Sequence, residues 1–230
     1  MRVFLGYDQR EQAAYDVARH TAESFGCQVT PVYEDQLRAQ GLLTRPLDRR
    51  GGMYDLHSNA PQATDFAISR FFVPILAHTG WALFADCDVV FLRDPNTLYS
   101  LIGTGDKAVY VVKHPPLDGD GTKMDGQKQT VYARKCWSSV MLFNCDHPAN
   151  KRLNLTTLNQ WPGRDLHALG WLADSEIGEL SQDWNWLVNV RLAPAHPAIA
   201  HFTKGGPWFA DWERQPHDEI WLEAQRNAGK

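Results

Sequence analysis

A chain of 230 residues, 43% hydrophobic and 22% charged, is long enough for one large domain with a substantial core. Its formal charge of -4 provides no basic footprint and argues against nucleic acid as a main partner. No apolar run approaches the ~20 residues of a membrane span. The apolar start Met1-Arg2-Val3-Phe4-Leu5-Gly6 is too short for a signal peptide, and the four cysteines form no C-x-x-C pair. A cytoplasmic protein with reduced thiols and no transmembrane segment is therefore expected.

The first apolar run, Arg2 to Gly6, predicts a strand that stops at glycine. Ala13, Ala14, Val17, Ala18 and Ala22 recur at helical spacing and predict a helix from Arg10 to Phe25, closed by Gly26. Cys27 to Tyr33 predicts a second strand, so the chain opens with β-α-β and a parallel crossover. Gly41 to Pro61, with its Gly-Gly pair and two prolines, reads as irregular. Asp65 to His78 predicts a helix that Pro74 kinks or ends early.

Next come an apolar strand beginning at Trp81, a helix from Asp94 to Ile102 and a strand from Lys107 to Val112. His114 to Gln129 carries Pro-Pro, three glycines and three aspartates, the composition of a long functional loop or lid. Val140 to Phe143 predicts a strand, Pro148 to Trp161 a helix, Trp184 to Val190 and Ala198 to Phe202 late strands, and His217 to Asn227 a closing helix. There is no repeat and no clean linker. Alternating strands and helices make this one three-layer α/β domain over residues 1–230.

The feature that carries chemistry is Asp86-Cys87-Asp88, a D-x-D triplet between the apolar runs Trp81 to Ala85 and Val89 to Leu92. Unpaired buried charge costs several kcal/mol, on the order of 3–5 when one partner is missing, so two carboxylates here call for a cation. On an extended segment Asp86 and Asp88 point the same way and can share a divalent ion, while Cys87 faces the core. Two solvated acids in a strand-end turn are the plain alternative. Nine tryptophans would suit a sugar or base pocket, or simply core packing.

Further on stands His201-Phe202-Thr203-Lys204-Gly205-Gly206-Pro207-Trp208. Glycines let backbone N–H groups approach an anion, Lys204 adds a point charge, and His201 offers a ring nitrogen to a metal. Such a segment downstream of a D-x-D is much more specific than either motif alone.

With these motifs in order, the chain resembles GT-A glycosyltransferases, most of all the small retaining enzymes related to glycogenin and bacterial lipopolysaccharide galactosyltransferases. The matching elements are Gly6-Tyr7-Asp8, Ser69-Arg70-Phe71, Asp86-Cys87-Asp88 and His201 to Trp208. The resemblance implies a single Rossmann-like GT-A α/β/α domain with a mixed central sheet, residues 1–113 being mainly its nucleotide-binding half and residues 114–230 mainly its acceptor-side half with the C-terminal His/Gly-Gly loop. It implies a hexosyltransferase that uses a UDP-sugar or related nucleotide-sugar donor and retains anomeric configuration. Asp86, Asp88 and His201 would bind Mn²⁺, with Mg²⁺ the alternative. Tyr7 and Asp8 would face the base or ribose, and Arg70, Asp86, Lys204, Gly205 and Gly206 would face the diphosphate. Asp165, with His167 behind it, would lie near the anomeric carbon.

Several positions carry a second reading. Asp8 equally suits a cap for the helix starting near Arg10, and Asp165 an N-cap. Asp183-Trp184-Asn185-Trp186 reads as packing that supports the site, and Asp165 or Asp183 would serve as the base of an inverting enzyme. Lys204 precedes the glycines where the family pattern has it after them. Trp137-Ser138-Ser139 lacks the family's sugar-contacting asparagine. A nucleotidyltransferase, a metal-dependent phosphohydrolase and an inactive nucleotide-sugar-binding module are the alternatives. The acceptor (glycan, lipid-linked sugar, protein or small molecule) is not written in these motifs.

Overall fold

The computed structural model describes residues 1–50, 52–102, 105–116 and 134–229. β1 (Arg2–Gly6) leads through a short turn to α1 (Gln12–Ser24), and β2 (Gln28–Val32) returns parallel to β1, with Arg2 beside Gln28. Ala14, Val17, Ala18 and Ala22 of the helical repeat visible in the sequence are buried, together with Thr21, whereas Ala13 is exposed.

The segment expected to be irregular has more order than its glycines suggest. α2 (Glu34–Ala39) precedes a small antiparallel sheet of β3 (Leu47–Asp48), β4 (Tyr54–Asp55) and β5 (Ala60–Pro61). A buried polar anchor holds it down. Arg45 pairs with Asp55 and also donates to the carbonyls of Leu158 and Trp161 at 3.0 and 2.7 Å.

The helix expected over Asp65 to His78 is a 3₁₀ turn, Ser69–Phe72, followed by α3 (Val73–Ala77). Pro74 occupies the first turn of α3, where no N–H is required, so it starts a helix rather than breaking one. β6 (Trp81–Ala85) and β7 (Val89–Phe91) flank the D-x-D, and α4 (Leu98–Leu101) and β8 (Val109–Val111) follow. Of the lid-like segment, residues 117–129 lie outside the described residues.

β9 (Val140–Asn144) is followed not by one helix but by a 3₁₀ turn, Pro148–Arg152, and then α5 (Leu155–Gln160). Asn154 leaves helical geometry there, and its side chain caps α5 by accepting from the Thr157 N–H at 3.0 Å. α6 (Gly163–His167), β10 (Ile177–Glu179), β11 (Trp186–Leu187), β12 (Ile199–His201) and α7 (Asp218–Ala228) complete the chain. The strand expected from Trp184 is confined to β11, because residues 182–185 form a 3₁₀ turn.

The central sheet has the order β10-β8-β9-β6-β1-β2; β9 is antiparallel to both neighbours and every other pair is parallel. Leu83, Phe84, Met141, Leu142 and Phe143 on β6 and β9 are fully buried at its centre. A second sheet, β11-β12-β7, begins where β6 ends. The D-x-D therefore lies in the bend between two sheets, and β12 brings His201 alongside Val89. Among the described residues, no helix is long and apolar enough to cross a membrane.

Candidate functional site

The bend over Asp86, Cys87 and Asp88 replaces the extended geometry expected from sequence. Its outcome is the one expected: Cys87 is fully buried and the two aspartates converge. Asp86, Asp88 and His201 each present a ligand atom within 4.8 Å of the others'. The Asp86 N–H donates to the Ser139 carbonyl at 2.9 Å, and the Asp88 carbonyl accepts from the Phe202 N–H at 2.8 Å. His201 Nε2 lies 3.2 Å from Asp88 Oδ1, and its Nδ1 lies 2.9 Å from Asn185 Oδ1. Two carboxylates and one imidazole, converging and largely buried, fit a divalent transition-metal ion.

Beneath the bend, Cys87 Sγ lies 3.7 Å from Glu11 Oε2. Burial first, and then the Glu11 carboxylate, push this thiol far above its ordinary range, so it is an inert core group.

Arg70, 5% exposed, faces Asp86 from the turn before α3. Its Nη1 is 2.8 Å from Asp86 Oδ1 and 3.0 Å from the Ser138 carbonyl. Its guanidinium carbon lies 5.1 and 5.2 Å from the ring centroids of Phe66 and Phe84. Beside it, Ser138 Oγ and His167 Nδ1 share a 2.7 Å hydrogen bond, and the imidazole meets Phe71 edge to face. Burial of the ring, and then the nearby Arg70 charge, hold His167 well below the usual histidine range, so it is neutral at pH 7.

These groups border a cavity of about 600 Å³. One wall is the β4–β5 hairpin and the residues to Thr64; another is Pro162 to Arg164 and His167; a third runs from Lys135 to Ser139. Asp86, Arg70, His201 and Thr203 lie at the metal-ligand corner. Ser58 ties two walls together, because its Oγ accepts the Gly163 N–H at 2.7 Å and donates to Asp55 at 2.9 Å. No tryptophan among the described residues lines the cavity, and indoles such as Trp184 and Trp221 are buried in the core instead.

Other expected site residues lie elsewhere. Asp8 is fully buried and caps the first turn. It accepts from Arg10 Nη2 at 2.6 Å and from the Asp65 N–H at 3.1 Å. Burial opposes its ionisation, but the Arg10 guanidinium overrides that and holds the carboxyl below its ordinary range. Tyr7 packs edge to face on Tyr15 and Tyr33, with its hydroxyl on Gln12. Asp165 sits on α6 beside Arg164, 3.3 Å away, while its neighbours Gly163, Arg164 and His167 line the cavity. Asp183 pairs with Ser181 and Arg93.

Past Thr203, Lys204 is exposed and Gly205 has φ +105°. A Cβ on Gly206 would lie 2.2 Å from the Trp208 ring, so this glycine makes room for an indole.

Sequence reasoning passed over Lys135, Ser58 and Gln62, and took Asn185 only as part of packing that supports the site. The first three stand in stretches without periodicity or motif.

No protein-family model matches the sequence. The chain is similar to Protein CDI of Arabidopsis thaliana, with 39% identity over 239 residues covering 100% of this chain and 87% of that protein. Among solved structures it is similar to the galactosyltransferase LgtC in complex with donor and acceptor sugar analogues (TM-score 0.56, 15% identity, covering 99% of this chain and 96% of that one). It is also similar to the bifunctional glycosyltransferase WbbM (TM-score 0.58, 12% identity, 99% of this chain) and to the glycosyltransferase GlyE of Streptococcus pneumoniae (TM-score 0.56, 14% identity, 97% of this chain). The chain spans 50% of WbbM and 59% of GlyE. The fold is GT-A, as the motifs implied.

Proposed function

We propose that this chain, which belongs to the same family as Protein CDI of Arabidopsis thaliana, is a metal-dependent glycosyltransferase that moves a hexose from a UDP-linked donor to an acceptor hydroxyl with retention. One observation carries the reading. On a GT-A fold, Asp86, Asp88 and His201 converge within 4.8 Å at the corner of a cavity that Arg70 also enters.

A divalent ion held by these three residues supplies charge neutralisation for a diphosphate leaving group. The imidazole in the donor set favours Mn²⁺ over Mg²⁺. Arg70 is the fixed cation beside that corner, preorganised by Ser138 and two aromatic rings, so it needs no reorganisation as charge develops on the departing diphosphate. Ser138 and neutral His167, joined by a hydrogen bond, would contact the transferred sugar. Both belong to the cavity wall, which gives them a stronger claim to that contact than Asp165. Lys204 and the Gly205-Gly206 turn remain the proposed outer grip on the diphosphate.

The test is nucleoside diphosphate release from a panel of UDP- and GDP-sugars with Mn²⁺, with Mg²⁺ and with chelator. Release from one donor, abolished by chelator, is expected. A chain that neither binds nor cleaves any donor would sink the reading.

A further inference from the structure

We infer that Asn185 is the positioning residue of the metal corner: it fixes the tautomer of His201 and locks that ligand to the segment that anchors Asp86. The inference rests on the metal-binding reading of the site. Asn185 is fully buried and His201 is 1% exposed, so each polar atom must find its partner within the protein.

The orientation of the Asn185 amide follows from the carbonyl of Cys136. A carbonyl only accepts, and Asn185 Nδ2 lies 3.2 Å from it, so the NH₂ end faces that side. The second Nδ2 hydrogen reaches Ser139 Oγ at 2.9 Å, and Ser139 Oγ in turn donates to the same Cys136 carbonyl at 2.7 Å. Both amide hydrogens are thereby used, and the amide oxygen is left facing His201 Nδ1 at 2.9 Å. An oxygen that only accepts requires a proton on Nδ1. Neutral His201 then carries its lone pair on Nε2, the atom 3.2 Å from Asp88 Oδ1. That is the tautomer a cation between Asp88 and His201 requires.

The same network reaches the other ligand. Ser139, which accepts from Asn185 through its side chain, accepts the Asp86 N–H at 2.9 Å through its carbonyl. Cys136 is a non-glycine residue with φ +66°, and its carbonyl takes donors from both Ser139 and Asn185. The bonds that orient the imidazole therefore also hold a left-handed residue in place. Adjacent strands set the spacing: Asn185 immediately precedes β11, in which Leu187 pairs with His201.

The experiment uses the full chain with Mn²⁺ alone as probe, titrated calorimetrically, for wild type, Asn185→Leu and Asn185→Asp. Wild type is also labelled with ¹⁵N-histidine, and the His201 tautomer is read by NMR without metal. Asn185→Leu should weaken Mn²⁺ binding by roughly 10–100-fold, the usual effect of losing a group that orients a metal-bound histidine. Asn185→Asp keeps an acceptor at Nδ1 and should bind closer to wild type than to Asn185→Leu. His201 should be protonated at Nδ1.

Wild-type affinity in Asn185→Leu, or a neutral His201 with its proton on Nε2 in wild type, would overturn the inference. The tautomer measurement decides it if Asn185→Leu does not fold. A wild type with an Nδ1 proton and no affinity for Mn²⁺ or Mg²⁺ would instead overturn the proposed function, leaving the orienting bond from Asn185 standing.

Discussion

One nitrogen of Arg70 serves both sides of the site: Nη1 lies 2.8 Å from Asp86 Oδ1 and 3.0 Å from the Ser138 carbonyl. Phe66 and Phe84 flank the guanidinium, and its Nε reaches the Phe66 carbonyl at 3.3 Å. The plane and position of this cation are set before any ligand arrives. An ammonium on a flexible stem cannot reproduce the fork or the stacking.

Arg70→Lys should therefore lower kcat for nucleoside diphosphate release by about 10²–10³, the scale of losing one preorganised donor to a developing anion. Mn²⁺ affinity should change less, because Asp86, Asp88 and His201 remain. Steady-state kinetics and a Mn²⁺ titration on the same variant separate the two. A wild-type kcat in Arg70→Lys would reduce Arg70 to a holder of Asp86.

Arg45 and Asp55 make a different kind of pair, 1% and 2% exposed, that pins the β3–β5 sheet to the carbonyls of α5 and Trp161. Removing one partner leaves the other charge buried, at a cost of about 3–5 kcal/mol. Arg45→Met should lower the urea midpoint accordingly. Because Asp55 and Ser58 line the cavity, it should also raise the donor KM more than it lowers kcat. The double variant Arg45→Met/Asp55→Leu should regain part of the stability, since it leaves no orphan charge.

The opening β-α-β, the buried strand that leads into the D-x-D and the late histidine strand were legible because each rests on a local rule: apolar period, glycine stop, or acids within an apolar run. The same rules missed where a break depends on tertiary context. Asn154 divides a helical pattern by capping its second half, and Pro74 starts α3 because an earlier 3₁₀ turn already ends at Phe72. Asp86 and Asp88 converge as expected, yet through a bend between two sheets rather than along one strand. Asn185 and Ser58 act through bonds to residues 16 and 105 positions away, which no spacing rule displays.

Asp65 gives the fold a pH dependence of known sign. Burial first, and then the neighbouring Asp8 carboxylate, raise its pKa from 3.8 to about 6. Between those values the native chain holds a proton that the unfolded chain has released, so this group's contribution to stability falls as pH rises from about 4 to about 6, then stays constant. Asp65→Asn removes the effect. Its stability gain over wild type should be small at pH 4, grow through that window and level off above it. Urea midpoints of both proteins at pH 4, 5, 6 and 7.5 test this, and a difference that shrinks with rising pH would contradict it.

The turn after His201 has two separable duties. The place of a Gly206 side chain is already filled: a Cβ there would lie 2.2 Å from Trp208. That indole packs against Phe202 and against Trp221, which is 1% exposed, so it has little room to retreat. Gly206→Ala should therefore destabilise by about 1–3 kcal/mol, as overpacking does. Lys204 is exposed, and Lys204→Ala should leave the melting temperature unchanged while raising the donor KM if its ammonium meets the diphosphate. Thermal melts and donor KM values for both variants assign each duty to its residue. If Gly206→Ala instead melts like wild type and loses donor affinity, the glycine serves the phosphates rather than the tryptophan.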